Sequence, residues 1–224
     1  MPSVFISREL KSKSRFKTLL EMKGWEVHAH TLVQFEKYPI TDFLPKTDWI
    51  FFYSKNGVKY FIKQVEAEYL KGKKFACMGS GTEKVLSKKG FKSSFTGKGA
   101  VDQIILDFKE LAHGKSVLFP RALHSLKTIQ EGIKDSSEVY DLPVYLNSPL
   151  KNPSPSQADF LIFTSPMNAT NYFEHHKLLK HQKLIAIGNS TGKKLMHLSK
   201  RKVYISPKPD EDSLIRYLLL VSQL

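Results

Sequence analysis

Four short segments of this sequence combine glycine, serine, threonine and asparagine in a pattern typical of a strand that ends and a helix that begins. They read SKNG at Ser54, GSGT at Gly79, SPMN at Ser165 and GNST at Gly188. Glycine lets a ligand approach the backbone, and a serine, threonine or asparagine can cap a helix whose first N–H groups stay free to bind an anion. The same residues are also ordinary caps and turn formers, so the segments predict binding of carboxylates or phosphates without identifying the ligand.

A further pair of predicted turns contributes two arginines. Ser7 and Arg8 follow the first apolar run of the chain, and Pro120 and Arg121 follow the corresponding run in its second half. In an open parallel sheet, ligands bind beyond the carboxyl ends of the strands. We therefore expect all of these turns to lie at ligand-binding edges.

Other kinds of chemistry find little support in the sequence. It contains no GxGxxG fingerprint, phosphate-binding loop or GxSxG motif. His28 and His30 alternate onto one face of a predicted strand, but no third ligand stands at a recognisable spacing, so no metal is expected. Asp48 and Asp159 begin predicted strands, at the end of the sheet opposite to bound ligands. Cys77 lies in the apolar run FACMG, where a buried structural thiol is expected.

The charge of the chain favours an anionic partner. Its 224 residues include 35 Lys and Arg against 21 Asp and Glu, a net charge of +14. The lysines are scattered rather than gathered into runs with interleaved aromatic residues, which favours solvated faces over nucleic-acid binding. Apolar runs of only a few residues and the lack of a signal-peptide pattern predict a soluble cytoplasmic protein without membrane contact.

The sequence consists of two similar copies of one unit. Asp48 and Ser54 match Asp159 and Ser165, and KFACMGSGTEKVL matches KLIAIGNSTGKKL. The openings SVFISREL and SVLFPRAL also agree, and the offset between the two copies varies only from 109 to 113 residues. We interpret this as a tandem duplication with small insertions and deletions.

Each copy predicts an α/β fold with a parallel sheet flanked by helices. The predicted order is strand, helix, strand, then strand, helix, strand, helix, and the strands DWIFFYS and DFLIFTS are continuously apolar, as expected for strands buried on both faces. The polar, proline-bearing midsections QFEKYPITDFLPK and YLNSPLKNPSPSQ are candidate linkers.

If the chain crosses between domains at both midsections, one domain is continuous and the other is assembled from the two ends. We predict a discontinuous domain of residues 1–33 plus 151–224, a second domain of residues 39–143, and linkers at 34–38 and 144–150.

The ordered set of motifs resembles the uroporphyrinogen-III synthase family. It comprises DWIFFYSKNGVKYF, KFACMGSGT, SVLFPRAL, DFLIFTSPMNA and KLIAIGNSTGKKL, and it covers nearly the whole chain. The resemblance implies two α/β domains joined by two linker strands, an active site in the cleft between them, and no cofactor. The implied reaction closes the linear tetrapyrrole hydroxymethylbilane with loss of water and inversion of ring D.

The resemblance also implies roles for single residues. Tyr145, which follows the valine of LPVYLNSP, would assist departure of the hydroxyl group. The substrate carries eight carboxylates, and a second set of residues would bind them through hydroxyl and N–H groups or as cations: Ser54, Gly79, Thr82, Ser165, Pro166, Gly188, Ser190, Thr191, Arg8 and Arg121. Tyr53 stands where the family usually has threonine, and neither Gly-x-x-Thr turn has the proline that usually follows the glycine.

Three functions therefore remain open at the level of sequence. The first is the synthase, which is expected to act as a monomer on a small-molecule tetrapyrrole. The isomer of its product would test this function. The second is a non-catalytic polyanion-binding protein of the same fold, suggested by the altered first turn. The third is nucleic-acid binding, which rests on the net charge alone and predicts salt-sensitive retention of RNA or DNA.

Overall fold

A computed structural model describes residues 1–151 and 156–224. In these ranges the chain forms eleven strands and nine helices. The strands are β1 Ser3–Ile6, β2 Glu26–Ala29, β3 Val33–Lys37, β4 Trp49–Phe52, β5 Lys74–Cys77, β6 Phe95–Thr96, β7 Ser116–Ala122, β8 Glu138–Pro149, β9 Phe160–Phe163, β10 Lys183–Ala186 and β11 Val203–Ile205. The helices are α1 Arg15–Met22, α2 Lys55–Ile62, α3 Ala67–Leu70, α4 Ser80–Ser87, α5 Val101–Ala112, α6 Thr128–Ile133, α7 Pro166–His175, α8 Asn189–Ser199 and α9 Glu211–Ser222.

The chain divides into two compact units. Unit 1 comprises Met1–Gln34 and Ser148–Leu224, and unit 2 is the continuous segment Phe35–Asn147. The strands β3 and β8 each run across a boundary between the units. One predicted linker motif, YLNSPLKNPSPSQ, lies partly outside the described residues, at 152–155.

Both units have the same doubly wound topology. The sheet of unit 1 has the order β2-β1-β9-β10-β11, and the other sheet has the order β8-β7-β4-β5-β6 with β3 added beside β8. All four strand pairings in the first sheet are parallel, as are the pairings from β8 through β6 in the second. The predicted α/β fold class with parallel sheets is confirmed.

Each sheet combines strands from both copies of the duplicated sequence. A repeated aspartate–serine pair joins the two copies at the amino ends of the central strands. The Asp48 carboxylate accepts hydrogen bonds from N and Oγ of Ser116, both at 2.9 Å. The Asp159 carboxylate accepts the same pair of bonds from Ser3 at 2.8 and 2.7 Å. Both aspartates therefore have a structural role at the end of the sheet where the sequence places them.

Helices cover both faces of each sheet, which explains the continuously apolar strands. In unit 1, α1 and α9 bury one face while α7 and α8 bury the other. In unit 2, α2, α3 and α4 cover one face, and α5 and α6 cover the other. All four residues of β4 and of β9 are buried. The carboxyl ends of these strands are thereby fixed as the places where the polar turns begin.

Two details of the sequence prediction are wrong. Each copy continues beyond its predicted last helix with a further strand and helix, β6 and α5 in the first copy and β11 and α9 in the second. Pro120 and Arg121 were expected in a turn, but they lie inside β7, which pairs with β8 as far as Ala122. Among the described residues, no helix combines the length and apolar character needed to cross a membrane.

Candidate active site

Ser54 and Tyr145 meet at the carboxyl end of β4. Ser54 caps α2, because its Oγ accepts a hydrogen bond from the Gly57 N–H at 3.0 Å. The Tyr145 hydroxyl, from β8, lies 3.0 Å from the same Oγ. Tyr145 is only 7% exposed, and this burial raises the pKa of its phenol. The phenol is therefore protonated at neutral pH and able to donate a proton or a hydrogen bond.

Aromatic rings and one amide hold Tyr145 in place. The ring of Tyr60 stacks on it with centroids 5.3 Å apart and an angle of 14° between the planes. The Tyr60 hydroxyl donates to the Phe35 carbonyl oxygen at 2.9 Å, and the Phe35 ring lies 6.2 Å from that of Tyr145. Gln64 Nε2 donates to the Val144 carbonyl oxygen at 3.1 Å. Helix α2 and the residues that flank it thus position both the hydroxyl and the ring of Tyr145.

The Gly79 turn lies beside this group in unit 2. Gly79 precedes α4 without a side-chain cap, so the first N–H groups of the helix have no intrahelical acceptor. The Cε atom of Lys55 lies 3.1 Å from the place that a Cβ on Gly81 would occupy, so the missing side chain makes room for the lysine at this turn. A cavity of about 880 Å³ opens here, and Gly79, Lys98 and the carboxylate-bearing Glu83 are among its lining residues. This edge offers N–H donors and cations to an anion.

Ser165 occupies the turn of unit 1 that is equivalent to the Ser54 turn of unit 2, and it caps α7. Its Oγ accepts from both the backbone N–H and the side-chain Nδ2 of Asn168, at 3.2 and 2.8 Å. The Oδ1 of Asn168 in turn accepts from the Leu32 N–H at 2.7 Å. Pro166 is the first residue of the helix and has no N–H to offer an anion.

The Gly188 turn has open space beside its glycine. Gly188 has an extended backbone, with φ −173°, and a Cβ added there would meet nothing within 4 Å. Neither backbone conformation nor packing requires glycine at this position, which leaves the start of α8 open to a ligand. Ser190 is exposed in the same turn, whereas Thr191 and its counterpart Thr82 are buried, at 2% and 7% exposure.

The two predicted arginines have internal partners. Arg8 pairs with Glu211 at 2.7 Å, and its buried Nε has no partner among the described residues. Arg121 is 5% exposed and donates to both carboxylate oxygens of Asp141, at 2.5 and 2.6 Å. It also donates to the carbonyl groups of residues 122–123 at 2.6 and 2.8 Å. Both arginines thus already neutralise a carboxylate of the protein itself.

Tyr53 has a structural role of its own. Its hydroxyl accepts from the N–H groups of Ile129 and Gln130, both at 3.1 Å, and so caps the start of α6. Burial raises its pKa to about 12, so it stays a neutral phenol. In the other unit the equivalent residue is Thr164, whose N–H and hydroxyl both bond to Ser7. The tyrosine therefore replaces a link between two strands with a link between a strand and a helix.

Sequence reasoning missed three residues that the structure places at these turns. Lys55 and Asn168 stand inside the turn motifs themselves, so their proximity to Ser54 and Ser165 was a usable signal. Tyr60 stands six residues after Ser54 in an apolar helix face, and no spacing rule predicts its contact with Tyr145. Within the described ranges, no group of three or more His, Cys, Asp or Glu side chains could hold a metal ion.

Comparison with known proteins gives one family. The sequence model of the family described as uroporphyrinogen-III synthase HemD matches residues 14–216. Uroporphyrinogen-III synthetase from Helicobacter pylori has a similar structure, with a TM-score of 0.79 and 20% identity over 99% of this chain and 100% of that one. A mutant uroporphyrinogen III synthase from Thermus thermophilus gives a TM-score of 0.63 and 17% identity over 100% of both chains. These two likenesses concern the fold. No curated protein sequence matches the chain.

Proposed function

The chain belongs to the uroporphyrinogen-III synthase family, and on that premise we propose that it cyclises hydroxymethylbilane to uroporphyrinogen III, with inversion of ring D and loss of water. The family match over residues 14–216 is the observation that carries this conclusion. In reaction terms the enzyme is a lyase of tetrapyrrole and heme biosynthesis.

The charge and the turns support a substrate with many carboxylates. The chain has a net charge of +14, and both units have helix starts without side-chain caps, at Gly79 and Gly188. Helix starts of this kind favour anions through their N–H groups and the helix dipole. We assign carboxylate binding to these two turns, to Lys55 and to the hydroxyl group of Ser165.

Tyr145 supplies the chemistry at the leaving group. The C–O bond of the hydroxymethyl group breaks with its electron pair going to oxygen, which must accept a proton to leave as water. A buried phenol that stays protonated at neutral pH can donate to that oxygen. The pyrrole N–H proton that is lost as the azafulvene forms balances the proton gained by the leaving group. Because uncatalysed closure gives the type I isomer, positioning of the chain contributes more than proton transfer.

The proposal includes three further features, of which the resemblance implies the first. The enzyme acts without a cofactor, as a monomer, in the cytoplasm. Nucleic acid and membrane surfaces are not among its partners. Arg8 and Arg121 stay predictions as substrate ligands, because their ion pairs with Glu211 and Asp141 supply a carboxylate to each already.

The isomer ratio of the product tests the function. Freshly generated hydroxymethylbilane is incubated with the wild-type protein beside an active synthase, and the oxidised uroporphyrins are separated by chromatography. We expect mostly the type III isomer from wild type. Tyr145→Phe should lower kcat by about 10- to 100-fold, because the phenol proton is lost while the buried ring stays. Tyr140→Phe, on the same strand with its hydroxyl bonded to Glu138, is the matched control.

The alternative function has its own signature. A polyanion-binding protein would bind the bilane tightly, and only the spontaneous type I isomer would form at the uncatalysed rate. That result from the wild-type protein would overturn the synthase assignment and leave the fold assignment intact.

A further inference from the structure

The two equivalent serines, Ser54 and Ser165, differ in which hydrogen-bond positions of their hydroxyl groups are already occupied. A serine hydroxyl has one proton to donate and two lone pairs that can accept. Both serines use one lone pair to cap a helix, accepting from the N–H three residues later, at Gly57 and at Asn168. The second partner of each hydroxyl differs, and this difference determines what each can offer to a substrate.

In unit 1 the second lone pair of Ser165 is also occupied. Nδ2 of Asn168 donates to Oγ at 2.8 Å, and the orientation of this amide is fixed because its Oδ1 accepts from the Leu32 N–H. Both acceptor positions of Ser165 are therefore filled, while its own proton has no acceptor among the described residues. A hydroxyl in this state can only donate, which suits a carboxylate.

In unit 2 the second partner of Ser54 is the Tyr145 hydroxyl, at 3.0 Å. The two hydroxyl groups have two protons and share one hydrogen bond, so one proton stays available. If Ser54 donated to a substrate carboxylate, Tyr145 would have to donate to Ser54 and would lose the proton that the leaving group needs. If Ser54 donates to Tyr145, the proton of Tyr145 stays free. The Gly57 N–H bond to Oγ polarises Ser54 toward donation and favours this second arrangement.

We propose that Ser54 is a positioning residue that donates its proton to Tyr145, and that only Ser165 of the two equivalent serines binds a substrate carboxylate. This inference rests on the proposed function, because it assigns the free proton of Tyr145 to the leaving hydroxyl. It departs from the equal roles that the duplicated motif implies. Ser54 then acts on the rate of turnover, and Ser165 acts on substrate affinity.

Steady-state kinetics of matched variants separates the two roles. Ser54→Gly and Ser165→Gly remove the hydroxyl, and glycine is itself a good N-cap residue, so both helices keep their starts. Ser54→Thr keeps the hydroxyl and should restore activity. We expect Ser54→Gly to lower kcat about tenfold with KM within twofold of wild type, and Ser165→Gly to raise KM about tenfold with kcat little changed.

A double-mutant cycle tests whether Ser54 acts through Tyr145. In the Tyr145→Phe background, Ser54→Gly should have no further effect on kcat, whereas Ser165→Gly should raise KM by the same factor as in wild type. An increase in KM on Ser54→Gly in both backgrounds, with kcat unchanged, would identify Ser54 as a carboxylate ligand and overturn the inference. Equal kinetics of Ser54→Gly and Ser54→Thr would overturn it as well.

A titration that needs no substrate separates this inference from the proposed function. The ultraviolet titration of the phenols, taken as the difference between wild type and Tyr145→Phe, gives the pKa of Tyr145. The Ser54 hydrogen bond lowers that pKa against the effect of burial, so Ser54→Gly should raise it. An unchanged pKa would overturn the pairing of the two hydroxyl groups. A shifted pKa in a protein that forms only the type I isomer would keep the pairing and refute the synthase assignment together with the catalytic role that rests on it.

Discussion

At the scale of single residues, two glycines of one segment serve different purposes. Gly188 precedes α8 and has open space where a side chain would be, whereas Gly192 lies in the first turns of the helix against Ile205. A Cβ on Gly192 would lie 2.5 Å from Cδ1 of Ile205. An alanine at position 192 would therefore displace the side chain of Ile205, whereas the space beside Gly188 is available to a ligand.

The pair Gly188→Ala and Gly192→Ala tests this distinction. Gly188→Ala should leave the melting temperature nearly unchanged and raise KM severalfold, because the methyl group hinders approach to the N–H groups at the start of α8. Gly192→Ala should lower the free energy of unfolding by about 1–3 kcal/mol, since Ile205 must move. Thermal unfolding and steady-state kinetics of both variants provide the check. A Gly188→Ala variant with unchanged KM would exclude this turn from substrate binding.

At the scale of elements, a polar network fastens α6 to β7 and β8. The Asp141 carboxylate accepts from Arg121, from Lys127 at 2.8 Å and from Gln130 at 2.9 Å. Burial alone would raise the pKa of Asp141, but the hydrogen bonds from Arg121, Lys127 and Gln130 outweigh it and lower the pKa to about 2. The network therefore stabilises the fold only while this carboxylate is ionised.

The stability of unit 2 should depend on this pKa. Since the folded pKa lies below the unfolded value, the contribution is fully present above about pH 4 and is lost as the pH falls through about 2. At pH 7, Asp141→Asn should reduce the free energy of unfolding by about 2–3 kcal/mol, because buried Arg121 loses its counter-charge.

The difference from wild type should shrink between pH 4 and pH 2. Urea unfolding followed by Trp49 fluorescence in a Trp25→Phe background reports on this unit, because each unit has one tryptophan. Asp107→Asn makes the same chemical change at an exposed helix position and serves as the control. An Asp141→Asn penalty that persists unchanged at pH 2 would mean that the penalty does not come from loss of the ionised carboxylate.

The elements that sequence predicts well are those with a strong local signal. The apolar runs of β4 and β9 and the serine caps that follow them could be read directly from residue type. The strands β6 and β11 were missed because they are only two and three residues long and partly buried, so any apolar run in them is too short to indicate a strand. Arg121 was placed in a turn because its strand is extended by pairing with distant β8. The Ser54–Tyr145 contact joins residues 91 positions apart, and no local pattern encodes it.

At the scale of the whole molecule, one unit is continuous in the chain and the other is not. Phe35–Asn147 contains five parallel strands with helices on both faces, and its core is made of its own residues. We predict that a fragment of residues 35–147 folds alone, since domains of about 100 residues commonly do so. The predicted linkers at 34–38 and 144–150 would then mark the sites at which it can be excised.

Cooperative urea unfolding of this fragment provides the measurement. Its Trp49 should be as protected from quencher as in the full chain, where it is 4% exposed, and the fragment should not convert hydroxymethylbilane to the type III isomer. The two terminal segments, expressed together without the fragment, give the complementary comparison for Trp25. An unfolded fragment would show that the units depend on each other for stability.

The position of β1 between β2 and β9 also affects how the chain folds while it is being translated. As the nascent chain leaves the ribosome, β1 and β2 emerge first, but the strand that completes the other side of β1 begins only at Phe160. At about 5–20 residues per second, the intervening segment takes on the order of ten seconds to synthesise. Phe35–Asn147 can fold during this interval, while the apolar residues Val4, Phe5 and Ile6 of β1 stay unpaired on the side that β9 will later cover. We therefore expect chaperones that bind exposed apolar segments to engage the amino terminus of this chain until translation is nearly complete.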